Sequence, residues 1–198
     1  MEQVPGTGRT HHKSISPSPT NFPGKLPDSE TIIARPILWL KSRYHHLLET
    51  HHLHSAEKNE EKGNLSGAAQ EHLLAANESD DRRVRGAEFH RAAFLLGKLG
   101  LHDEAESAYT AAYRAEAEQY ESDGRLELAA QLHFDIAISS SKSDVKKEEF
   151  LRAAELFAGL RWHLPAGHAY EAALKLEEKM ENRMHLAHLI SSHYSTIS

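Results

Sequence analysis

Histidine is the residue type in this sequence with the most potential for metal or acid–base chemistry, because 16 histidines occur among 198 residues. Five lie close together, namely His45, His46, His51, His52 and His54. His51 and His54 have a spacing that can chelate a metal on a helix, and Glu181, His185 and His188 also share one helical face. Zinc sites normally take three or four ligands, and no His-Glu-x-x-His motif is present. We therefore expect a polar helix face and no metal or cofactor, and keep a His-rich metal-binding or enzymatic module as an alternative.

Signatures of catalysis are lacking elsewhere in the sequence. There is no cysteine, no glycine-rich phosphate loop and no Gly-x-Ser-x-Gly elbow. Glutamates are frequent, but runs such as Lys146-Lys147-Glu148-Glu149 are typical of solvated helix faces with charge pairs one turn apart. We expect a protein that is not an enzyme.

Charge and hydropathy narrow the classes of partner. The net charge is −6 with neutral histidines, and no basic stripe is present, so we expect no nucleic-acid binding. No apolar run reaches the roughly 18–20 residues of a membrane span, and Met1 to Lys13 lacks the apolar core of a signal peptide. The expected localisation is cytoplasmic.

The elements that must position these residues are helices. Five of the seven prolines lie in residues 1–29, which we interpret as a flexible Pro/Ser/Gly-rich tail preceding a helical domain at 30–198. Alanine and leucine dominate the apolar residues of that domain, as in helices. Turn signals divide it into eight helices, with Ser79 as an N-cap and Gly100 just past a helix end. The predicted helices are 32–54, 64–78, 81–99, 102–120, 125–140, 144–161, 164–180 and 182–195.

An internal repeat is the clearest signal in the sequence. Residues 60–118 (copy one) align without a gap to residues 121–179 (copy two), and 24 of 59 positions are identical. The period of 61 residues covers three predicted helices. In copy one, Phe89, Ala92, Ala93 and Leu96 form one helical stripe, and Ala105, Ala108, Tyr109 and Ala112 form another on the next helix. Such stripes must be buried by stacking, so we predict an array of antiparallel helices.

Two helices of each unit resemble the tetratricopeptide pattern, in which an aromatic and a small pair are followed by Ala-x-x-x-Tyr-x-x-Ala. The segment Phe150–Phe157, Trp162 and Ala166–Ala173 is similar to the helical hairpins of soluble NSF-attachment proteins (SNAPs). That resemblance implies a tetratricopeptide-like array that grips SNARE helices and recruits a disassembly ATPase. Because the period here is three helices and a tetratricopeptide repeat has two, a tandem of separate three-helix modules remains open.

By analogy with the tetratricopeptide register, a binding groove is expected along the first helix of each hairpin. The residues facing it would be His90, Arg91, Phe94 and Lys98 in copy one, and Leu151, Arg152 and Glu155 in copy two. Arg91 and Arg152 are charged yet shared, so they either grip an acidic helix or pair with neighbouring glutamates. The other shared histidines, His72, His133, His102 and His163, are expected to pack or cap.

These observations favour a protein-binding scaffold whose partner is a helix or peptide, with a SNARE-like protein as one candidate and a homodimer as another. The acidic segment Glu177–Glu181, followed by a Ser/Thr-rich end, resembles export signals of bacterial type IV effectors. The alternative is thus an effector that is exported into a host cell and uses a SNAP-like array against vesicle trafficking.

Overall fold

A computed structural model describes the backbone of residues 29–196 and the side chains of residues 40–196. The chain divides into two compact units, Met1–Ile37 and Leu38–Ser198. Of the first unit only the helical backbone from Ser29 onward is described. The predicted flexible tail at 1–29 therefore lies outside the described residues, apart from Ser29, which already begins a helix.

Every regular element among residues 29–196 is an α-helix. The all-α prediction is therefore confirmed for this part of the chain. The helices are α1 Ser29–Glu61, α2 Leu65–Glu78, α3 Arg82–Lys98, α4 His102–Ser122, α5 Leu126–Ser139, α6 Ser143–Gly159, α7 His163–Leu176 and α8 Met180–Ser195.

The helix bounds follow the prediction to within three residues except at two ends. The predicted helix 164–180 ends at Leu176, and α1 continues past residue 54 to Glu61. The extension has a tertiary reason, because Ala56 is fully buried on its last turns. Histidines have modest helix propensity, but His45 and His52 of this helix bond to carboxylates of α2 at 2.5 and 2.8 Å. These bonds hold the predicted part of α1 against α2, and Glu60 in the extension binds His72 of α2 and Arg91 of α3.

The turn after α3 behaves as predicted, whereas Ser79 does not. Gly100 has φ +75°, the left-handed conformation in which glycine commonly ends a helix. Ser79 is not an N-cap: it follows the last residue of α2, and its backbone N–H donates to Ala75. The N-cap of α3 is Asp81, whose carboxylate accepts from the backbone N–H groups of Arg83 and Val84. Aspartate and serine are both favourable N-cap residues, so the residue types alone did not decide between Ser79 and Asp81.

Alanine forms most of the core. The alanines of both predicted stripes are buried, whereas Tyr109 of the second stripe is 37% exposed. Larger side chains such as Leu95 and Phe157 fill the space between the helices. Alanine lets two helix axes approach closely, and this explains why the core needs so few large residues. The predicted small-residue packing is the arrangement in the structure.

Consecutive helices pack against each other from α2 to α8. The contact continues where copy one meets copy two, since α4 packs on α5. In two closed three-helix modules, α2 would pack on α4 and α5 on α7, but the substantial helix pairs between described residues are the consecutive ones. The fold is an open helical array, and the surfaces between α3 and α6 carry the features below.

Candidate functional site

The residues predicted to face a partner lie on two helices. Those on α3 are His90, Arg91, Phe94 and Lys98, and those on α6 are Leu151, Arg152 and Glu155. Phe94 is 45% exposed, whereas Leu151 is partly buried. Arg91, Phe94 and Lys98 on α3 and Arg152 and Glu155 on α6 are exposed, whereas Leu151 packs against the core and His90 is half-buried.

Both predicted groove arginines are engaged by glutamates of the chain itself. Arg91 donates through Nε to Oε1 of Glu60 at 2.9 Å, and through a terminal nitrogen to Oε2. Arg152 makes the same two-point contact with Glu121, with an Nε–Oε1 distance of 3.2 Å. Of the two interpretations left open by the sequence, pairing with neighbouring glutamates is the one that the geometry supports. A partner's carboxylate would have to displace these glutamates.

Each arginine–glutamate pair belongs to a larger polar cluster that contains a buried histidine. In the first polar cluster (Glu60, His72, Glu88 and Arg91), Nδ1 of His72 lies 2.6 Å from Glu88 and Nε2 lies 2.9 Å from Glu60. These contacts join the end of α1 to α2 and α3. The expected packing role of His72 is thus carried out by ion pairing as well as by burial.

The first polar cluster favours charged forms of its members. Burial opposes a charge on His72, but its hydrogen bonds to Glu88 and Glu60 outweigh that cost and raise its pKa. The Arg91 guanidinium, against the opposing effect of burial and with further help from His72, lowers the pKa of Glu60 to about 2. An imidazole bonded to a carboxylate at both nitrogens donates twice only as the cation, which agrees with the raised pKa.

The second polar cluster (Glu121, His133, Glu149 and Arg152) repeats this arrangement between α4, α5 and α6. Nδ1 of His133 lies 2.6 Å from Glu149, and Nε2 lies 3.3 Å from Glu121. The side chain of Glu149 is only 3% exposed, and it also accepts a hydrogen bond from Nε of Arg114. Burial raises the pKa of Glu149, but the bonds from His133 and Arg114 outweigh it, so the pKa lies below its usual value.

An open polar cleft of about 530 Å³ lies beside the second polar cluster. Leu151, Arg152 and Glu155 line it together with Arg114 and Glu118. The structure therefore brings the three predicted residues of copy two into one surface. Its charged groups are largely paired with one another, as Arg152 also donates to Glu155 at 3.1 Å. These ion pairs join α4 to α6, so the charged residues around the cleft have a structural role.

Sequence reasoning missed these clusters although their signal was present. All four positions of the first cluster are identical in copy two, as Glu60/Glu121, His72/His133, Glu88/Glu149 and Arg91/Arg152. Shared polar residues inside a repeat are informative because most outward positions have diverged. Only the fold shows that the four shared residues meet, since they come from three helices.

On the face of α3, the accessible side chains are stacked on one another. The ammonium group of Lys98 lies 4.4 Å from the ring centroid of Phe94, a cation–π distance. His90 packs instead toward α4, with its ring 5.8 Å from that of Tyr109 and 5.0 Å from that of Tyr113. The predicted groove residues of copy one thus point toward two different surfaces.

A second open cleft, which we name the junction cleft, lies between α4 and α5 where the copies meet. Its volume is about 630 Å³, and its apolar wall consists of Ala105, Tyr109, Tyr113, Leu132 and Ile136. Tyr109 and Tyr113 are 37% and 39% exposed.

The polar groups of the junction cleft include the carboxylates of Glu106 and Asp135. The Glu106 carboxylate accepts bonds from the hydroxyl of Ser140 at 2.9 Å and from the backbone N–H of Ser141 at 2.7 Å. The bonds from Ser141 and Ser140, opposed by burial and aided by the charge of Lys142, lower the pKa of Glu106. The junction cleft therefore combines aromatic surface with negative charge.

The other histidines singled out by the sequence do not assemble. His51 and His54 are exposed on α1, as are His185 and His188 on α8. No group of three or more metal-ligating side chains is brought together among the residues that the structure describes. His102 lines the junction cleft, and Nδ1 of His163 lies 3.1 Å from Nδ1 of His193.

The acidic segment at the C-terminal end begins with a buried residue. Glu177 is 6% exposed and accepts bonds from the backbone N–H of Lys179 at 2.9 Å and from Asn182 at 3.2 Å. It also pairs with Lys147 of α6 at 3.3 Å. The carboxylate thus holds the turn between α7 and α8, which accounts structurally for one of the acids in the segment.

Comparisons with family models, curated proteins and solved structures yielded no match. Among the described residues, no helix is both long enough and apolar enough to cross a membrane.

Proposed function

We propose that this protein is a non-enzymatic scaffold or adaptor that binds a helix or peptide of another protein. The observation that carries the proposal is the junction cleft, where two half-exposed tyrosines and buried aliphatic residues form an open apolar wall on a folded array. Tyrosine is enriched at protein interfaces because it combines a large apolar ring with a polar end. A helix or extended peptide binds to such an apolar surface by laying anchor side chains into it.

The polar clusters hold the helices together and leave other surface residues free to contact a partner. They fix α1, α2 and α3 to one another, and likewise α4, α5 and α6, through ion pairs that use Arg91 and Arg152 internally. Helices held in this way form a preorganised surface, which lowers the entropic cost of binding. Partner contacts on α3 and α6 would then come from Phe94, Lys98 and Glu155, which remain accessible.

The resemblance to SNAPs supports one choice of partners to test first. Proteins of vesicle trafficking that present helical bundles, SNARE-like proteins among them, are the class that this resemblance favours. The cytoplasm is the compartment in which such partners would be met.

The proposal is tested by affinity capture from cell lysate with quantitative mass spectrometry, using the full chain. Tyr113→Glu places a charge on the wall of the junction cleft, whereas Leu128→Glu makes a similar change at a 39% exposed residue outside it. We expect a protein retained by wild type and by Leu128→Glu to be lost with Tyr113→Glu, at equal helicity by circular dichroism. Equal retention by all three proteins, or no specific retention, would overturn the proposal.

A further inference from the structure

The two copies differ at one surface, and the difference indicates what the junction cleft accepts. Tyr109 of α4 and Tyr170 of α7 occupy the same position in the repeat. Tyr109 is 37% exposed, whereas Tyr170 is only 6% exposed. Copy two therefore shows this helical face covered by the following helix. In copy one the ring of His90 on α3 lies 5.8 Å from that of Tyr109, and Tyr109 is still more than a third exposed.

The cover in copy two is a helix that presents ring side chains. His193 of α8 stacks on Tyr170, with ring centroids 5.6 Å apart and an angle of 22° between the planes. The neighbouring Tyr194 donates its hydroxyl to Glu171 at 2.9 Å. A methyl group on Gly167 would lie 3.0 Å from the Tyr194 ring, so the two helices are in close contact there.

The same positions of copy one line the junction cleft. His163, Gly167, Tyr170 and Glu171 correspond to His102, Glu106, Tyr109 and Thr110. In copy one, α5 lies alongside these residues but leaves the cleft between them open. The cleft thus offers an aromatic platform that in copy two is covered by an imidazole and a phenol from a helix.

Charge distinguishes the junction cleft from its counterpart. Glu106 replaces Gly167, and Asp135 adds a second carboxylate from α5. None of the described residues that line the cleft is a lysine or an arginine. Lys142 approaches the rim, where its ammonium group donates to the hydroxyl of Ser107 at 2.7 Å. An occupant with a positive charge therefore complements this cleft.

We propose that the junction cleft binds an amphipathic helix of a partner protein that presents an aromatic side chain and, one turn away, a lysine or arginine. The aromatic ring packs on Tyr109 and Tyr113, and the cation pairs with Asp135 and Glu106. This inference rests on the proposed function and specifies its ligand.

The test uses a fluorescein-labelled, alanine-based helical peptide with tryptophan and lysine one turn apart, and fluorescence anisotropy with the full chain. Two matched peptides carry alanine for tryptophan or glutamate for lysine. We expect saturable binding of the first peptide, weakened about tenfold or more by loss of the aromatic ring, because buried aromatic anchors dominate such interfaces. We also expect weakening with the glutamate peptide and at raised salt concentration.

Substitutions in the protein test whether the peptide binds in the junction cleft. Asp135→Lys reverses the charge in the cleft, and Glu127→Lys makes the same reversal at an exposed residue of α5 that does not line the cleft. Tyr113→Ala removes part of the aromatic wall without adding charge. Binding should fall about tenfold with Tyr113→Ala and severalfold with Asp135→Lys, and remain unchanged with Glu127→Lys, at equal helicity in all three.

The outcomes separate this inference from the proposed function. If no peptide binds, or if the affinity is unchanged by Tyr113→Ala and Asp135→Lys, the assigned ligand chemistry is wrong. The scaffold proposal would still stand if affinity capture retained a partner that depends on Tyr113. Tryptophan- and lysine-dependent binding that both cleft variants weaken supports the inference.

Discussion

Neutralising Glu149 should destabilise the fold far more than neutralising its neighbour Glu148. Both carboxylates contact Arg114, but the Glu149 side chain is 3% exposed and that of Glu148 is 68% exposed. Glu149 also receives a hydrogen bond from His133. Glu149→Gln removes the buried carboxylate that Arg114 and His133 share, and leaves them only the exposed Glu148 and the more distant Glu121, respectively. When Glu148 is neutralised, water takes its place.

The expected magnitudes follow from burial. Removing one partner of a buried ion pair costs about 3–5 kcal/mol, and we expect about 3 kcal/mol for Glu149→Gln because the amide keeps the volume and one acceptor. Exposed pairs contribute less than about 1 kcal/mol, which bounds Glu148→Gln. The corresponding fall in melting temperature is about 6–12 °C for Glu149→Gln and under about 4 °C for Glu148→Gln.

The assay is equilibrium unfolding in urea at pH 6, followed by circular dichroism at 222 nm for wild type and both variants. Glu88→Gln, the corresponding change in copy one, should cost about 1–3 kcal/mol. Glu88 is 17% exposed, and among the described residues it accepts a side-chain hydrogen bond only from His72. Equal losses of stability for Glu148→Gln and Glu149→Gln would show that burial does not set the cost of losing the carboxylate. So would a loss below about 1 kcal/mol for Glu149→Gln.

Three further predictions concern pH and backbone conformation. The free energy of unfolding should fall as pH rises above about 6.5, because the pKa of His72 is raised in the folded state, which keeps a proton that the unfolded state loses. His72→Gln should flatten this part of the plot of stability against pH, measured by urea unfolding. The free energy of unfolding should also fall as pH drops from 4.5 toward 2, because the pKa of Glu60 is lowered in the folded state. The full pKa shift corresponds to about 3 kcal/mol, and to about 1–2 kcal/mol after solvent screening at the half-exposed Arg91. Glu60→Gln should therefore weaken the loss of stability in acid, whereas Glu61→Gln at an exposed residue should not. Gly100→Ala should lower the stability by about 1 kcal/mol because φ at Gly100 is +75°. Gly97→Ala should raise the stability by a few tenths to about 1 kcal/mol, because Gly97 lies within α3 and no atom is within 4 Å of an added methyl group. In thermal melts the melting temperature should change in opposite directions for the two variants, and a change in the same direction would contradict the assigned conformations.

The helices could be predicted from the sequence because their determinants are local. Alanine and leucine stripes and glycine turns placed most helix ends within two or three residues of those in the structure. The end of α1 was missed, since its last turns are held by burial of Ala56 and by the grip on Glu60 rather than by propensity. Tertiary packing decided that boundary, and no short sequence window contains it.

The candidate site was predicted less well because it depends on which helices meet. The repeat identified Arg91 and Arg152 as unusual but did not reveal that each pairs with a glutamate from another helix. The junction cleft was not predicted either. It depends on how far α5 lies from the tyrosine face of α4, and this distance is set by packing across the boundary between the copies.

The polar clusters give the repeat a physical meaning beyond its alanine stripes. Each links three consecutive helices through one buried histidine, two carboxylates and an arginine, and buried polar networks of this kind favour one register over others when fully satisfied. Every described buried side-chain nitrogen and oxygen has a hydrogen-bond partner. The contact between Glu121 of α4 and His133 of α5 joins the two helices that form the walls of the junction cleft.

If a partner protein binds in the junction cleft, a photo-reactive side chain on the wall of that cleft should crosslink to it. p-Benzoylphenylalanine is placed at Tyr113 in one protein and at Leu128 in another, two positions of equal exposure of which only the first lines the cleft. After irradiation in lysate, we expect one partner to be crosslinked from position 113 and not from position 128, with the linked peptide in a helical segment. Crosslinking of the same partner from position 128 alone, or equally from both positions, would contradict this expectation.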